Sequence, residues 1–196
     1  MKRSLFVLAA VLTTGLVVPV LAADTYMLDA AHSNVGFAVR HLVISTVNGH
    51  FSEVAGEIQY DAADITKSSV SVTIKTDSIN TNNGKRDDHL KSADFFDAEK
   101  NPEITFKSSS IEREGDGYAA VGTLTIKGVS KEVKLPFEIT GKIKDPWGNN
   151  KIGVEGSLTI NRQDYGVSWS KTMDNGGLVV GNEVKISFSV EAAQKM

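Results

Sequence analysis

The sequence predicts an all-β domain of about eight antiparallel strands, and three observations carry that expectation. Apolar and polar residues alternate with a period of two over most of the chain beyond Ala23. Tight-turn residues separate the alternating runs, and only one segment, near residues 86–100, breaks the rhythm. The 196 residues, 41% hydrophobic and 23% charged, can bury one core and are too apolar for a disordered chain. Period-two patterning with tight turns fits a meander barrel or a sandwich, and leaves the two open.

Residues 1–22 read as an address rather than as structure. Met1-Lys2-Arg3-Ser4 is a short basic start, and Leu5 to Leu21 is apolar apart from Thr13, Thr14, Gly15 and Pro19. This is the pattern of a secretory signal peptide removed after Ala22 or Ala23, leaving residues 23–196 as the domain. The competing reading is a membrane anchor, but the run has 17 residues, the short edge of a bilayer span. Cleavage removes Lys2 and Arg3 and leaves 19 basic against 24 acidic residues, a net charge of −5. No later segment is apolar enough to cross a membrane as a helix, so the mature protein is expected to be exported and periplasmic.

The strands follow in order. Phe37 and Val39 alternate with Ala38 and Arg40, and Val70, Val72 and Ile74 with Ser71, Thr73 and Lys75. The rule continues in Leu124 and Ile126, in Val133, Leu135, Phe137 and Ile139, in Ile152, Val154, Leu158 and Ile160, and in Val184, Ile186, Phe188 and Val190. Such alternation puts one face of each strand on a core and the other in water. Turns are expected at Val47-Asn48-Gly49, Gly115-Asp116-Gly117, Lys127-Gly128, Asp145 to Asn150 and Asp174 to Gly177. Arg86 to Lys100 reads as one or two helical turns, with Asp87 and Asp88 as caps, Leu90, Ala93 and Phe96 on one face, and Asn101-Pro102 as the stop. Pro136 sits inside a strong strand pattern and predicts a bulge or a strand edge, since proline cannot donate to a ladder. Gly156, between Val154 and Leu158, is expected to leave interior volume for a guest.

Composition excludes several function classes. A net charge of −3 lacks the basic footprint of tight nucleic-acid binding. With no cysteine there are no disulfides, thiolate metal sites or thiol catalysis. An outer-membrane barrel needs aromatic girdles and an apolar exterior. Here aromatics are 7%, and polar faces rich in Lys and Glu, as in Lys131, Glu132, Lys134 and Glu138, suit water. His32, His41, His50 and His89 show no metal-ligand spacing, and no nucleophile elbow or phosphate loop is present. No catalytic residue, metal or cofactor is expected.

Three places could meet a polar ligand group. Arg86-Asp87-Asp88-His89 concentrates charge where the chain leaves the sheet; it is a solvated helix start, or Arg86 and His89 face a head group at a barrel mouth. Arg162 ends the strand closing at Ile160, as part of a structural turn or of the same mouth. His41 falls on the inner side of its strand, where a hydrogen-bonded core histidine is the commoner outcome.

The segment Ala31-His32-Ser33-Asn34-Val35-Gly36-Phe37-Ala38-Val39-Arg40-His41-Leu42 resembles the opening signature of the YceI-like family. Arg86 to Asp97 with Asn101-Pro102 and Thr105-Phe106, Leu124 to Val129, Asn161-Arg162 and Val184-Lys185-Ile186 are similar to further segments of that family, in order, from about Asp24 to the C-terminus. One departure is Asn101-Pro102, where relatives often carry Tyr-Pro. The resemblance implies an eight-stranded antiparallel lipocalin-like barrel with a short helical excursion. It implies an exported, non-enzymatic protein that sequesters a long apolar chain: a polyisoprenoid, an isoprenoid pyrophosphate, a quinone or a similar lipid. It is also compatible with a homodimer. On that reading Phe37, Val39, Phe51, Leu90, Phe96, Phe106 and Trp169 form the apolar lining, and His41, Arg86, His89 and Arg162 the mouth. The alternatives are a solid β-sandwich interaction module and, with thinner support, a lipid-modifying enzyme.

Overall fold

The computed structural model describes residues 23–174 and 176–195; the stretch read as a signal peptide lies outside them. Strand segments run β1 Asp24–Leu28, β2 Asn34–His41, β3 Ser45–Phe51, β4 Val54–Tyr60, β5 Ser69–Lys75, β6 Ile79–Asn80, β7 Glu103–Glu114, β8 Gly117–Ile126, β9 Val129–Lys144, β10 Asn150–Asn161 and β11 Val180–Gln194, with one helix, α1, at Gly84–Lys91. Every pairing is antiparallel.

The eleven segments make an eight-strand closed barrel because the first three strands are each broken in two. β11 pairs with β2 through Val180–Ser189 and with β1 through Ala192–Gln194, so β1 and β2 are one strand interrupted by a 3-10 turn at Ala30–His32. The break is built from side chains. The Asp29 carboxylate accepts from the Ala31 N–H, and the Ser33 hydroxyl both donates to the Glu191 carbonyl and accepts from the Glu191 N–H, replacing the missing ladder bonds. β3 and β4 in turn line β2 and β1, and β5 and β6 line β4 and β3. Each later strand is a hairpin neighbour of the one before, and β11 returns to β1 and β2. A closed ring leaves no free sheet edge around most of its girth.

Several local expectations are corrected. Asn48-Gly49 is not a turn but lies within β3, where Gly49 faces Phe37 across the ladder. A Cβ on Gly49 would lie 2.4 Å from the Phe37 ring, so the glycine makes room for an aromatic ring, and the chain reverses at residues 42–44 instead. Gly156 does the same for Phe188, whose ring a Cβ would meet at 2.5 Å, so it leaves no free volume. Lys127-Gly128 is the expected tight turn, both residues having positive φ.

The helical excursion begins earlier than the sequence suggests. Its cap is Asn83, whose side chain accepts from the Arg86 N–H; the Asp87 carboxylate binds back to the Thr81 N–H and hydroxyl. The α-helix ends at Lys91, so helical spacing stops applying. Leu90 and Phe96 face the barrel, Ala93 is exposed, and Phe95 and Ala98 are buried in its place. Asn101 donates through Nδ2 to the carbonyls of Phe96 and Asp97, fixing the turn through polar contacts.

Pro136 marks a strand edge. The β9–β10 ladder runs from Lys144–Asn150 only as far as Phe137–Gly156. Above it, β9 pairs with β8 alone and β10 with β11 alone, leaving a seam that starts at the proline. Two bulges, at Ser109 and Thr140, shift the register of their strands and flip which side chains point inward beyond them.

Candidate ligand-binding site

The inward residues enclose an apolar cavity of about 250 Å³. It extends from Arg162, Val167 and Val180 at the end carrying α1 to Tyr60, Ile65 and Ser68 at the opposite end. Val154, Leu158, Ile160, Val184, Ile186 and Phe188 point inward yet remain only half-buried, because they border empty space rather than packed neighbours. No carboxylate, histidine or lysine is in its wall among the described residues.

Of the sequence-derived lining residues, Phe37, Val39, Phe51, Leu90, Phe96 and Phe106 border the cavity, gathered from β2, β3, the helical excursion and β7. Phe51 contacts both Phe37 (5.9 Å between centroids) and Phe96 (6.2 Å), tying the helical segment to the sheet. Trp169 does not reach the cavity wall. It packs against Phe95 and His89, at 5.3 and 5.1 Å, in an aromatic cluster behind it.

The four polar residues assigned to the mouth are not brought together around the cavity. Arg162 alone touches it, and its guanidinium is committed elsewhere. Nε donates to Gly181, Nη1 to Val167 and Trp169, and Nη2 to Val180 and the Asn182 side-chain oxygen, so every N–H is used. Burial without a facing carboxylate holds its pKa below the usual guanidinium value. Arg162 therefore pins the segment 167–182 to the barrel end. Arg86 donates through Nε and Nη2 to the hydroxyl and carbonyl of Thr81, anchoring α1. His89 holds Asp94 at 2.8 Å and stacks edge-on against Phe95 at 5.0 Å. His41 sits at the end of β2 opposite Val180 and Ser45, outside the wall.

The opposite end carries polar groups that sequence reading missed. Continued past Ile139, the alternation of β9 would turn Ile143 inward. The Thr140 bulge reverses this: Ile143 is 62% exposed and pairs with outward Lys151, while Lys142 pairs with Ile152, which is 1% exposed. Gly141 was the only hint. Lys142 Nζ donates across the barrel to the Tyr60 hydroxyl at 2.7 Å, and that contact pushes the ammonium pKa up. Tyr60 is edge-on to Tyr26 at 6.1 Å, and burial pushes the Tyr26 phenol up, so it is a neutral donor at neutral pH. On the same rim Arg113 lies over the ring of Tyr118.

Residues 26–192 match the YceI-like domain, nearly all of the described chain. The chain is 38% identical over 176 residues to a UPF0312 protein of Serratia proteamaculans, covering 89% of this chain and 88% of that one. It is 36% identical over 200 residues to a UPF0312 protein of Pseudomonas aeruginosa, over the full length of both. The Campylobacter jejuni YCEI protein superposes with a TM-score of 0.69 at 38% identity, covering 86% of this chain and 97% of that one. Burkholderia cenocepacia BcnA gives 0.74 at 27%, covering 84% and 98%. A polyisoprenoid binding domain from Saccharophagus degradans, implicated in plant cell wall breakdown, has the same fold at a TM-score of 0.63 and 16% identity, over 88% and 99%. Closed barrel, helical excursion and nearly end-to-end sequence match converge on one assignment: this chain belongs to the YceI-like family.

Proposed function

We propose that the protein is an exported, non-enzymatic carrier that sequesters one long apolar chain, of polyisoprenoid type or similar, inside the barrel. The observation that supports this best is the cavity: an unfilled space bordered by half-buried aliphatic and aromatic side chains along the length of the barrel. An empty apolar space forfeits dispersion contacts, and an apolar chain entering it restores them while leaving water, a gain of roughly 25 cal/mol per Å² of apolar surface before binding costs. The absence of acid–base side chains from the wall, among the described residues, fits storage rather than turnover. The Saccharophagus domain of the same fold, described as polyisoprenoid binding, agrees with that ligand class.

The test is organic extraction of the protein purified from its native host, followed by mass spectrometry. A stoichiometric apolar molecule, released only on denaturation, is the expected result. Empty extracts, together with failure of the emptied protein to take up a polyisoprenoid alcohol, would overturn the carrier reading.

A further inference from the structure

We infer that the barrel end opposite α1 is a subsite for an anionic head group, a phosphate or carboxylate carried by the apolar chain. This deepens the carrier reading above and rests on it.

The subsite is assembled from five inward positions on five strands: Tyr26 of β1, Tyr60 of β4, Arg113 of β7, Tyr118 of β8 and Lys142 of β9. The register fixes their orientation. Tyr26 is opposite Ile58 and one inward step from Leu28, which borders the cavity, and Tyr60 is one inward step from Ile58. Tyr118 pairs with both Phe137 and Arg113, and Lys142 is opposite Ile152. Both bulges are needed: without those at Ser109 and Thr140, Arg113 and Lys142 would point outward.

Two exposed cations are thereby held at this end, beyond the cavity wall that Tyr60 closes, with no ion-pair partner among the described residues. Among the described residues, neither Lys142 nor Arg113 forms an ion pair with any carboxylate within 4.0 Å. On the same and neighbouring strands Lys134 bridges Glu112 and Glu114, and Lys151 binds Glu191 and Asp29, whereas outward Lys107 and the strand-end Lys144 form no ion pair among the described residues, like Lys142. What sets Lys142 apart is its inward position opposite Ile152 and its bond to Tyr60. The nearby Asp64 is engaged by Thr66 and Lys67 and feels Arg113 only through space, without a direct contact. The Tyr60 hydroxyl accepts from Lys142 at 2.7 Å, so its own proton is free to donate. Arg113 lies 5.7 Å from the Tyr118 ring centre, and among the described residues no hydrogen bond holds its guanidinium. Two cations with no direct ion pair among the described residues, and phenol donors, at the end of an apolar cavity match an oxyanion whose chain lies in it.

Farnesyl phosphate and farnesol, sharing one chain, are the probes, titrated calorimetrically into emptied protein. The wild type is expected to bind the phosphate more tightly than the alcohol, with the advantage shrinking as salt rises. Lys142→Gln and Arg113→Gln should each weaken the phosphate about tenfold and leave the alcohol within about twofold. Tyr60→Phe should give a smaller loss confined to the phosphate. Equal loss for both probes, or no loss in either cation variant, overturns the subsite while the carrier reading stands. So does a phosphate-specific loss in Arg86→Gln or His41→Gln at the other end. Failure of the wild type to bind either probe overturns the carrier reading and this subsite with it.

Discussion

The two ends of the barrel use similar residue types in opposite ways. At the α1 end, Arg162 has all its donors on neutral acceptors, Arg86 is tied to Thr81, and His89 faces Asp94. At the other end, among the described residues, Lys142 bonds to a tyrosine hydroxyl and Arg113 lies over an aromatic face, and neither forms an ion pair. The difference teaches that a charge near a cavity is not evidence of a ligand site. What matters is whether its hydrogen-bonding capacity has been consumed by the fold itself. A buried guanidinium saturated by carbonyls fixes chain geometry; an ammonium without a carboxylate at an open rim retains attraction for an outside anion.

The largest expected effect breaks the comparison at its strongest point. Arg162→Met strands several carbonyls at once and should lower unfolding free energy by about 4 kcal/mol, whereas Lys142→Met should change it by less than about 0.5 kcal/mol. Urea denaturation measures both, and hydrogen exchange should show loss of protection in residues 167–182 for the first variant only. Similar costs for the two would erase the distinction between the ends.

Between the ends, the cavity invites a substitution that a packed core would refuse. Overpacking a filled core costs about 1–3 kcal/mol. Leu158→Trp should instead stay within about 1 kcal/mol of the wild type, since its side chain borders empty space. Uptake of a polyisoprenoid alcohol should fall at the same time. A large destabilisation, with uptake unchanged, would mean that the space is not the binding volume. A smaller effect is local to the helical end: Asn83→Ala removes the α1 cap and should cost about 1 kcal/mol, with faster exchange confined to the first turn.

The smallest effect concerns pH at the hairpin joining β9 and β10. The Asp145 side chain accepts from Asn149 through Nδ2 and backbone N–H, and from the Trp147 N–H, and these bonds hold its pKa below the ordinary carboxylate value. A lowered folded-state pKa stabilises the fold above the unfolded value, about 4, and the contribution is lost as pH falls through the lower folded value. Trp147 is 83% exposed at this tip. Its fluorescence in a Trp169→Phe background should hold steady down to about pH 4 and change only below it. Asp145→Asn should abolish that transition.

The sequence made some of this legible and hid the rest for physical reasons. The alternation of β10 and β11 declared an inner and an outer face, and Pro136 declared an edge, because both depend on residues acting alone. The breaks in the first three strands were not legible. They depend on partners far along the chain, such as Ser33 meeting Glu191. Asn48-Gly49 has turn chemistry, but its glycine answers to Phe37 on the neighbouring strand. The apolar wall could be inferred from residue type and parity, except Trp169, which the chain folds onto the far side of Phe95. The polar rim could not. A single extra residue at Thr140 exchanges Ile143 for Lys142, and period-two counting carries the error straight through it.

On the carrier reading proposed above, the interruption above Pro136 bears on how cargo would move. A cylinder laced shut on every side can be loaded only by threading a chain lengthwise through a portal. Here β9 and β10 share no ladder bonds beyond Phe137–Gly156, while Val133, Leu135, Leu158 and Ile160 lie against the hollow just behind. Parting the wall along that slit breaks no bond of the β9–β10 ladder, so on that reading a flexible tail would have a sideways route there.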